Sequence, residues 1–180
     1  MINDTLGHDV GDEVLKQFAK RLEQCVRTTD LVARWGGDEF TILLPEVVNE
    51  QVVCEIAQRI LNSLDTPFVV GDRHLKVGSS IGIALYPQHG VDNSTLLKHA
   101  DTALYQAKDS GRNNYQLYRA EMNVRVEEQL TLEQALREAL EREEFTISYQ
   151  PQLDLATGDV VLVEALLRWQ HPHFGMVSPS

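Results

Sequence analysis

Residues 27–46 read RTTDLVARWGGDEFTILLPE, and no other stretch of the chain constrains the architecture as tightly. Two short apolar runs, LVARW (31–35) and EFTILLPE (39–46), flank Gly36, Gly37 and Asp38. Strand-forming residues on both sides of a Gly-Gly-Asp tip predict a tight β-hairpin, because two-residue turns need positive φ, which glycine adopts without steric cost. The tip places Asp38 and Glu39 side by side. Carboxylates fixed on a rigid turn suit one or two hard cations such as Mg²⁺, which in turn bridge nucleotide phosphate oxygens. The glycines leave room for a ligand against the backbone, and a bulky residue at Gly36 or Gly37 would obstruct it. Taken as four residues alone, the segment is a plain hairpin turn with two solvated acids, so the wider sequence has to arbitrate.

Helical and extended patterns alternate on both sides of the hairpin. Upstream, MINDTLGHDVGD (1–12) passes into a helix in which Val14, Phe18, Leu22 and Val26 recur every four residues, with Asp9 or Asp12 as the expected N-cap. Downstream, Val53, Ile56, Ile60 and Leu64 mark a second amphipathic helix over residues 50–65. PFVV and HLKVGSSIGIALY read as extended segments. Ser94 is the expected cap of a third helix, whose buried stripe is Leu97, Ala100, Leu104 and Ala107 and which Gly111 stops. NNYQLY (113–118) follows as a final edge strand. This order predicts an α/β (α+β) fold, a mainly antiparallel central sheet flanked by helices. The composition changes after Tyr118. Residues 119–144, dense in Glu, Arg and Leu without Gly or Pro, read as a long exposed connecting helix. From Phe145, FTISYQPQLDL, a turn at Thr157, Gly158 and Asp159, and VVLVEALLRW open a second unit, which buries too little apolar surface to be stable alone. The expected organisation is residues 1–118, a connecting helix 119–144, and residues 145–180.

Composition narrows the functional classes. With 43% apolar and 24% charged residues, the chain of 180 residues is that of a folded soluble protein. Sixteen Lys and Arg against 27 Asp and Glu give a net charge of −11, which argues against DNA or RNA as a partner and confines any nucleotide contact to a local site. No apolar run approaches the roughly 18 residues of a membrane span, and the N-terminus lacks the order of a signal peptide, so a cytoplasmic segment without membrane contact is expected. Cys25 and Cys54 offer neither a disulfide framework nor zinc-site spacing, and are expected to be reduced, packed thiols.

Four ordered blocks, INDTLGHDVGDEVL, RTTDLVARWGGDEF, SSIGIALYP and DTALYQAKDSGRNNYQLY, resemble the GGDEF family of diguanylate cyclases. The tail, YQPQLDLATGDVVLVEALLRWQHPHFGMVSP, resembles the opening of the EAL family of cyclic di-GMP phosphodiesterases, and so implies the first hairpin of an EAL-type barrel. The resemblance implies a bacterial signal-transduction enzyme that works as a homodimer with Mg²⁺ (or Mn²⁺). Two domains face each other, each holding one GTP, and each ribose 3′-hydroxyl attacks the α-phosphate of the other nucleotide to give cyclic di-GMP and two pyrophosphates. In-line phosphoryl transfer of this kind asks of the protein mainly positioning and charge neutralisation.

The same resemblance assigns residues. Asp38 is a metal ligand that assists deprotonation of the attacking hydroxyl, Glu39 lies beside it, and Gly36 and Gly37 admit the nucleotide. Asn3 and Asp12 read guanine, since a carboxylate accepts from N1–H and the N2 amino group together; read alone, Asn3 is a turn residue and Asp12 a helix cap. Lys108 and Arg112, four apart, are expected to share one helix face and neutralise the triphosphate, or, read alone, to complement a helix dipole. Arg27 and Asp30 of RTTD match the family's inhibitory product site, the arginine forking onto a guanine O6 and N7 edge; out of that context they are a surface ion pair. In the EAL portion, Glu164 matches a metal-binding glutamate, and Gln150 and Arg168 match residues that contact the dinucleotide. Later EAL ligands would lie beyond Ser180, so the chain is not expected to hydrolyse cyclic di-GMP. His171 and His173 are expected in a solvated loop, and His8 is expected to be a loop residue rather than a base. The family's first metal aspartate comes from a strand upstream of the IND segment, so the sheet is expected to lack its first strand and the segment to be a poor cyclase. The expected function of the intact parent is cyclic di-GMP synthesis. The alternative is a catalytically silent module that senses GTP or cyclic di-GMP and regulates an attached EAL phosphodiesterase, and net hydrolysis by the parent is a third reading.

Overall fold

Three amphipathic helices frame the first part of the computed structural model, which describes residues 6–177: α1 (His8–Cys25), α2 (Glu50–Leu64) and α3 (Asn93–Asp109). The residues at helical spacing are the ones buried. Val14, Leu22 and Cys25 of α1 and Val53, Ile56, Ala57, Ile60, Leu61 and Leu64 of α2 form the core with Phe68, which is 0% exposed. Each valine, leucine, isoleucine or phenylalanine among them contributes about 1.5–3 kcal/mol on full burial. Both cysteines are free thiols, Cys25 buried and Cys54 half-buried.

The helix caps differ from those expected. At α1 the N-cap is Gly7 at φ 90°, without a side-chain hydrogen bond. Asp9 falls in the first turn, where its charge complements the dipole, and Asp12 lies within the helix, so neither can cap it. At α3 the cap is Asp92, not Ser94. Its carboxylate accepts from the Thr95 backbone N–H at 2.9 Å, the Thr95 hydroxyl at 2.7 Å and the Ser94 hydroxyl at 2.6 Å. Hydrogen bonds from the Ser94 and Thr95 side chains, then the Thr95 backbone, lower its pKa to about 2. Ser94 is inside the helix, where a cap has no free N–H to serve.

Two arginines close the opposite ends. Arg21 of α1 donates to the carbonyls of Ser63 in the last turn of α2 and of Thr66 and Pro67 beyond it, and lies over the Phe68 ring, 3.8 Å from its centroid. Arg59 of α2 donates through Nε and Nη2 to the Cys25 carbonyl at the end of α1. Neither helix has a basic residue in its own last turn, and each borrows one from its neighbour to satisfy orphaned carbonyls.

Among the described residues the strands of this part form three two-stranded ladders: β1 (Leu31–Gly36) with β2 (Glu39–Leu43), β3 (Phe68–Val70) with β4 (Arg73–Leu75), and β5 (Ile81–Ile83) with β6 (Tyr115–Leu117). The first two are antiparallel hairpins; the third is parallel, because α3 carries the chain back to the same end. β5 lies so close to α3 that a Cβ on Gly82 would stand 2.0 Å from the Ala100 carbonyl oxygen and 2.3 Å from the Leu104 nitrogen. Only glycine permits that approach.

The chain divides into two compact units between Asn123 and Val124. Helix α4 (Glu121–Ala139) stops five residues short of the expected Glu144. Glu143 takes φ 54° and the Glu144 N–H returns to the Ala139 carbonyl, which ends the helix in a left-handed turn. The second unit then forms an antiparallel ladder, β7 (Phe145–Leu153), β8 (Val160–His171) and β9 (Gly175–Val177), one strand more than the expected hairpin. Trp169 Nε1 donates to Glu144 Oε2 at 2.8 Å within it, both residues buried. Ile147, Tyr149, Leu162 and Leu167 are exposed on the ladder. Among the described residues, no helix is long and apolar enough to cross a membrane.

Candidate functional site

The hairpin tip is held from one side. Val32, Phe40 and Ile42 pack on the core of α1 and α2, and the register Val32↔Ile42, Arg34↔Phe40, Gly36↔Glu39 follows from that burial. The register slips between Arg34 and Gly36, leaving Trp35 as the extra residue of a bulge, 71% exposed. Gly37 and Asp38 form the loop, with Gly37 at φ 52°. A Cβ on either glycine would meet nothing within 4 Å, so the space above the tip is open. At Gly37 the selection for glycine is therefore conformational. Asp38 and Glu39 are both exposed.

Nothing in the sequence periodicity marks Arg34, yet it is tied to this turn. Its Nη2 and Nε donate to the Gly37 carbonyl oxygen at 2.7 and 3.0 Å. The only advance signal is an arginine three residues before a turn carbonyl, which is too common to single out.

Among the described residues no group of three or more His, Cys, Asp or Glu converges on a metal position. Two adjacent carboxylates nevertheless fit Mg²⁺, a hard cation that binds through one or two carboxylates and completes its shell with water and substrate phosphates.

The remaining expected residues fall into separate groups. Asn3 lies outside the described residues. Asp12 is exposed on α1. Lys108 is in the last turn of α3, but Arg112 is not on the same helix face. The helix closes at Ser110, Gly111 takes φ 98°, and Arg112 at φ 59° sends its N–H back to the Ala107 carbonyl, the pattern of a Schellman ending. Arg112 thus lies in the turn beyond the helix, so the helical spacing that suggested a shared face does not reach it. Asn114 locks this turn, donating to the carbonyls of Ala107 and Arg112.

Arg27 and Asp30 are brought together through backbone. Asp30 Oδ2 accepts from the Arg27 N–H at 2.7 Å, and the Asp30 N–H donates to the Arg27 carbonyl at 3.0 Å. The exposed Arg27 guanidinium is left to the solvent side of this turn. The pair precedes β1 whereas the Gly37–Asp38 loop follows it, so the six residues of the strand, about 20 Å at 3.3 Å per residue, separate them.

In the second unit Gln150 stands directly opposite Glu164, and Arg168, four residues along the same strand, shares their face of the sheet. The structure thus gathers the three EAL-portion residues on one surface. His8 is the first residue of α1 rather than a loop residue. His8 is nonetheless exposed, whereas His171 is not solvated. It is 7% exposed at the end of β8, and its Nδ1 accepts from the backbone N–H of His173 and of Phe174, which shapes the turn into β9. His173, by contrast, is exposed.

A family model described as diguanylate cyclase, GGDEF domain, matches residues 1–114, well over half of the chain. This chain belongs to the GGDEF family. The EAL domain model matches residues 133–180, so the GGDEF region is followed by the beginning of an EAL region. Among curated relatives, the chain is 40% identical over 179 residues to the bifunctional diguanylate cyclase/cyclic di-GMP phosphodiesterase MucR of Pseudomonas aeruginosa, covering 99% of this chain and 26% of the relative. It is 40% identical over 178 residues to the cyclic di-GMP phosphodiesterase PdeR of Escherichia coli, covering 99% of this chain and 27% of that one. The chain therefore spans about a quarter of the length of these relatives. Of the solved structures it is similar to, the GGDEF domain of PA1120 (YfiN or TpbB) from P. aeruginosa gives TM-score 0.64 at 41% identity, covering 66% of this chain and 74% of that one. An EAL/GGDEF domain protein from M. capsulatus gives TM-score 0.62 at 47% identity, covering 66% and 76%. The mixed α/β architecture is thus that of GGDEF domains.

Proposed function

We propose that the GGDEF region belongs to a protein that condenses two GTP into cyclic di-GMP as a homodimer. The observation that carries this reading is the intact hairpin tip, two glycines under open space with two adjacent exposed carboxylates. Asp38 and Glu39 are the residues that would hold Mg²⁺ (or Mn²⁺). Bound there, the ion supplies charge neutralisation on the triphosphate. Asp38 orients the attacking ribose hydroxyl and accepts its proton. Gly36 and Gly37 leave the backbone accessible to phosphate, while Lys108 and Arg112 supply cations for the triphosphate. Asn3 and Asp12 select guanine. Arg27, with Asp30, takes the product at the far end of β1, remote from the tip, as suits feedback inhibition. Because it consumes GTP, this segment works in the cytoplasm. The family matches and the division at Asn123 support an organisation of residues 1–118 as the cyclase domain, 119–144 as a connecting helix and 145–180 as the start of the EAL domain.

The deciding experiment uses the full-length parent. Asp38→Ala abolishes GTP condensation while leaving the thermal transition in place, and retained turnover refutes the assignment. A second reading, net hydrolysis of cyclic di-GMP by the parent, draws support from the shared face of Gln150, Glu164 and Arg168. Incubating the parent with GTP and with cyclic di-GMP in parallel, and following both by chromatography, separates the two activities. Binding of GTP without either conversion would identify the silent sensing module instead.

A further inference from the structure

We infer that Arg34 is a positioning residue for the Asp38–Glu39 tip, acting through the Gly37 carbonyl; this rests on the cyclase reading above. Arg34 is the last residue of β1 in regular register, paired with Phe40 on the row that Val32 and Ile42 anchor to the core. Beyond it the order set by burial ends, for Trp35 is slipped out of register and two glycines follow. Successive glycines are the most conformationally free residues a turn can contain, and an untethered tip of this composition samples many backbone states.

The Arg34 guanidinium closes that gap. Its Nε and Nη2 both donate to the one Gly37 oxygen, at 3.0 and 2.7 Å, spanning the bulge from an anchored strand to the free loop. The Gly37–Asp38 peptide is a rigid plane in which carbonyl and N–H point in opposite directions. Pinning the Gly37 oxygen therefore fixes the direction of the Asp38 N–H and the point from which the Asp38 side chain departs. Arg34's hydrogen bonds go to the carbonyl and not to Asp38 or Glu39, so the carboxylates keep their lone pairs for a cation. Lysine cannot substitute fully, because it offers a single mobile point charge in place of a planar fork.

The test compares wild type, Arg34→Lys and Arg34→Ala in the whole polypeptide. Without ligand, the ¹H–¹⁵N resonance of Asp38 is followed for shift and order parameter. Calorimetry then measures binding of Mn²⁺ with a nonhydrolysable guanosine triphosphate analogue. Arg34→Ala is expected to move the Asp38 amide and lower its order parameter while the Val32, Phe40 and Ile42 amides stay in place, and to weaken binding about tenfold, the scale of one charged hydrogen bond. Arg34→Lys recovers part of both. An Asp38 amide in the ligand-free protein that is indifferent to Arg34→Ala, or binding by wild type that Arg34→Ala leaves unchanged, overturns the positioning role. Absence of binding by wild type overturns the cyclase reading instead, and the ligand-free Asp38 amide then still decides the role of Arg34.

Discussion

Gly82→Ala is the perturbation whose cost follows most directly from the geometry. The added methyl would stand 2.0 Å from the Ala100 carbonyl oxygen, 2.3 Å from the Leu104 nitrogen and 2.8 Å from the Leu104 Cα. All three are backbone atoms of α3, so no side-chain rotation relieves the contact. Ordinary contact distances near 3.5 Å require α3 and β5 to separate by about 1.5 Å. A gap of 0.5–1 Å already forfeits about a quarter to a half of the dispersion attraction along an interface. Ala103 and Ala107 of α3, both 0% exposed, lie on the helix that must move. Overpacking costs about 1–3 kcal/mol, and a clash against main chain belongs at the top of that range, so we expect about 3 kcal/mol. In urea, with m of about 1–3 kcal/mol/M, the unfolding midpoint of the first unit falls by roughly 1–3 M. Far-UV circular dichroism and tryptophan fluorescence report the transition. A midpoint within about 0.3 M of wild type would show that strand and helix do not approach as closely as described, and would refute the argument.

Asn49→Ala removes the side chain that accepts from the Val52 N–H at 3.0 Å as the N-cap of α2, and should cost about 1 kcal/mol by urea denaturation, whereas Asn49→Asp should cost little. In the full-length parent, Arg27→Ala should raise the cyclic di-GMP concentration needed for half-inhibition, and an unchanged inhibition curve would remove the regulatory role. Burial lowers the pKa of His89 below 6.5, Glu50 opposes this and His99 adds to it. The His89 Nδ1 accepts from the Leu85 N–H at 3.0 Å and must give up that bond to be protonated. The unfolded chain therefore takes up the proton more readily than the native one, and the contribution of His89 is complete above pH 6.5 and lost as pH falls through its lowered native value. The urea midpoint should drop between about pH 7 and 5 more steeply in wild type than in His89→Gln; equal slopes would exclude this linkage.

Much of the architecture is legible in local sequence because it depends on local physics. Hydrophobic spacing locates α1 and α2, and Gly37 marks the hairpin, since helix periodicity and positive φ are properties of a few consecutive residues. Caps are less legible, because Asp9, Asp12 and Ser94 are good cap residues lying one or more positions from the actual helix start, and boundaries respond to packing. Lys108 and Arg112 show the same limit from the other side. Their spacing of four is helical only while the helix lasts, and Gly111 ends it between them.

The family, the order of elements and the acidic tip were written in the chain as ordered short motifs. The long-range closures were not. Arg21 and Arg59 capping one another's helices, Gly82 seated against α3, and Gln150 facing Glu164 across a ladder join residues from separate elements or strands, and their geometry depends on how those elements pack. Even the Arg34 fork, spanning three residues, needs the bulge that core burial of Val32 and Phe40 imposes. Local preference selects the elements, and burial of their apolar faces determines which polar groups meet.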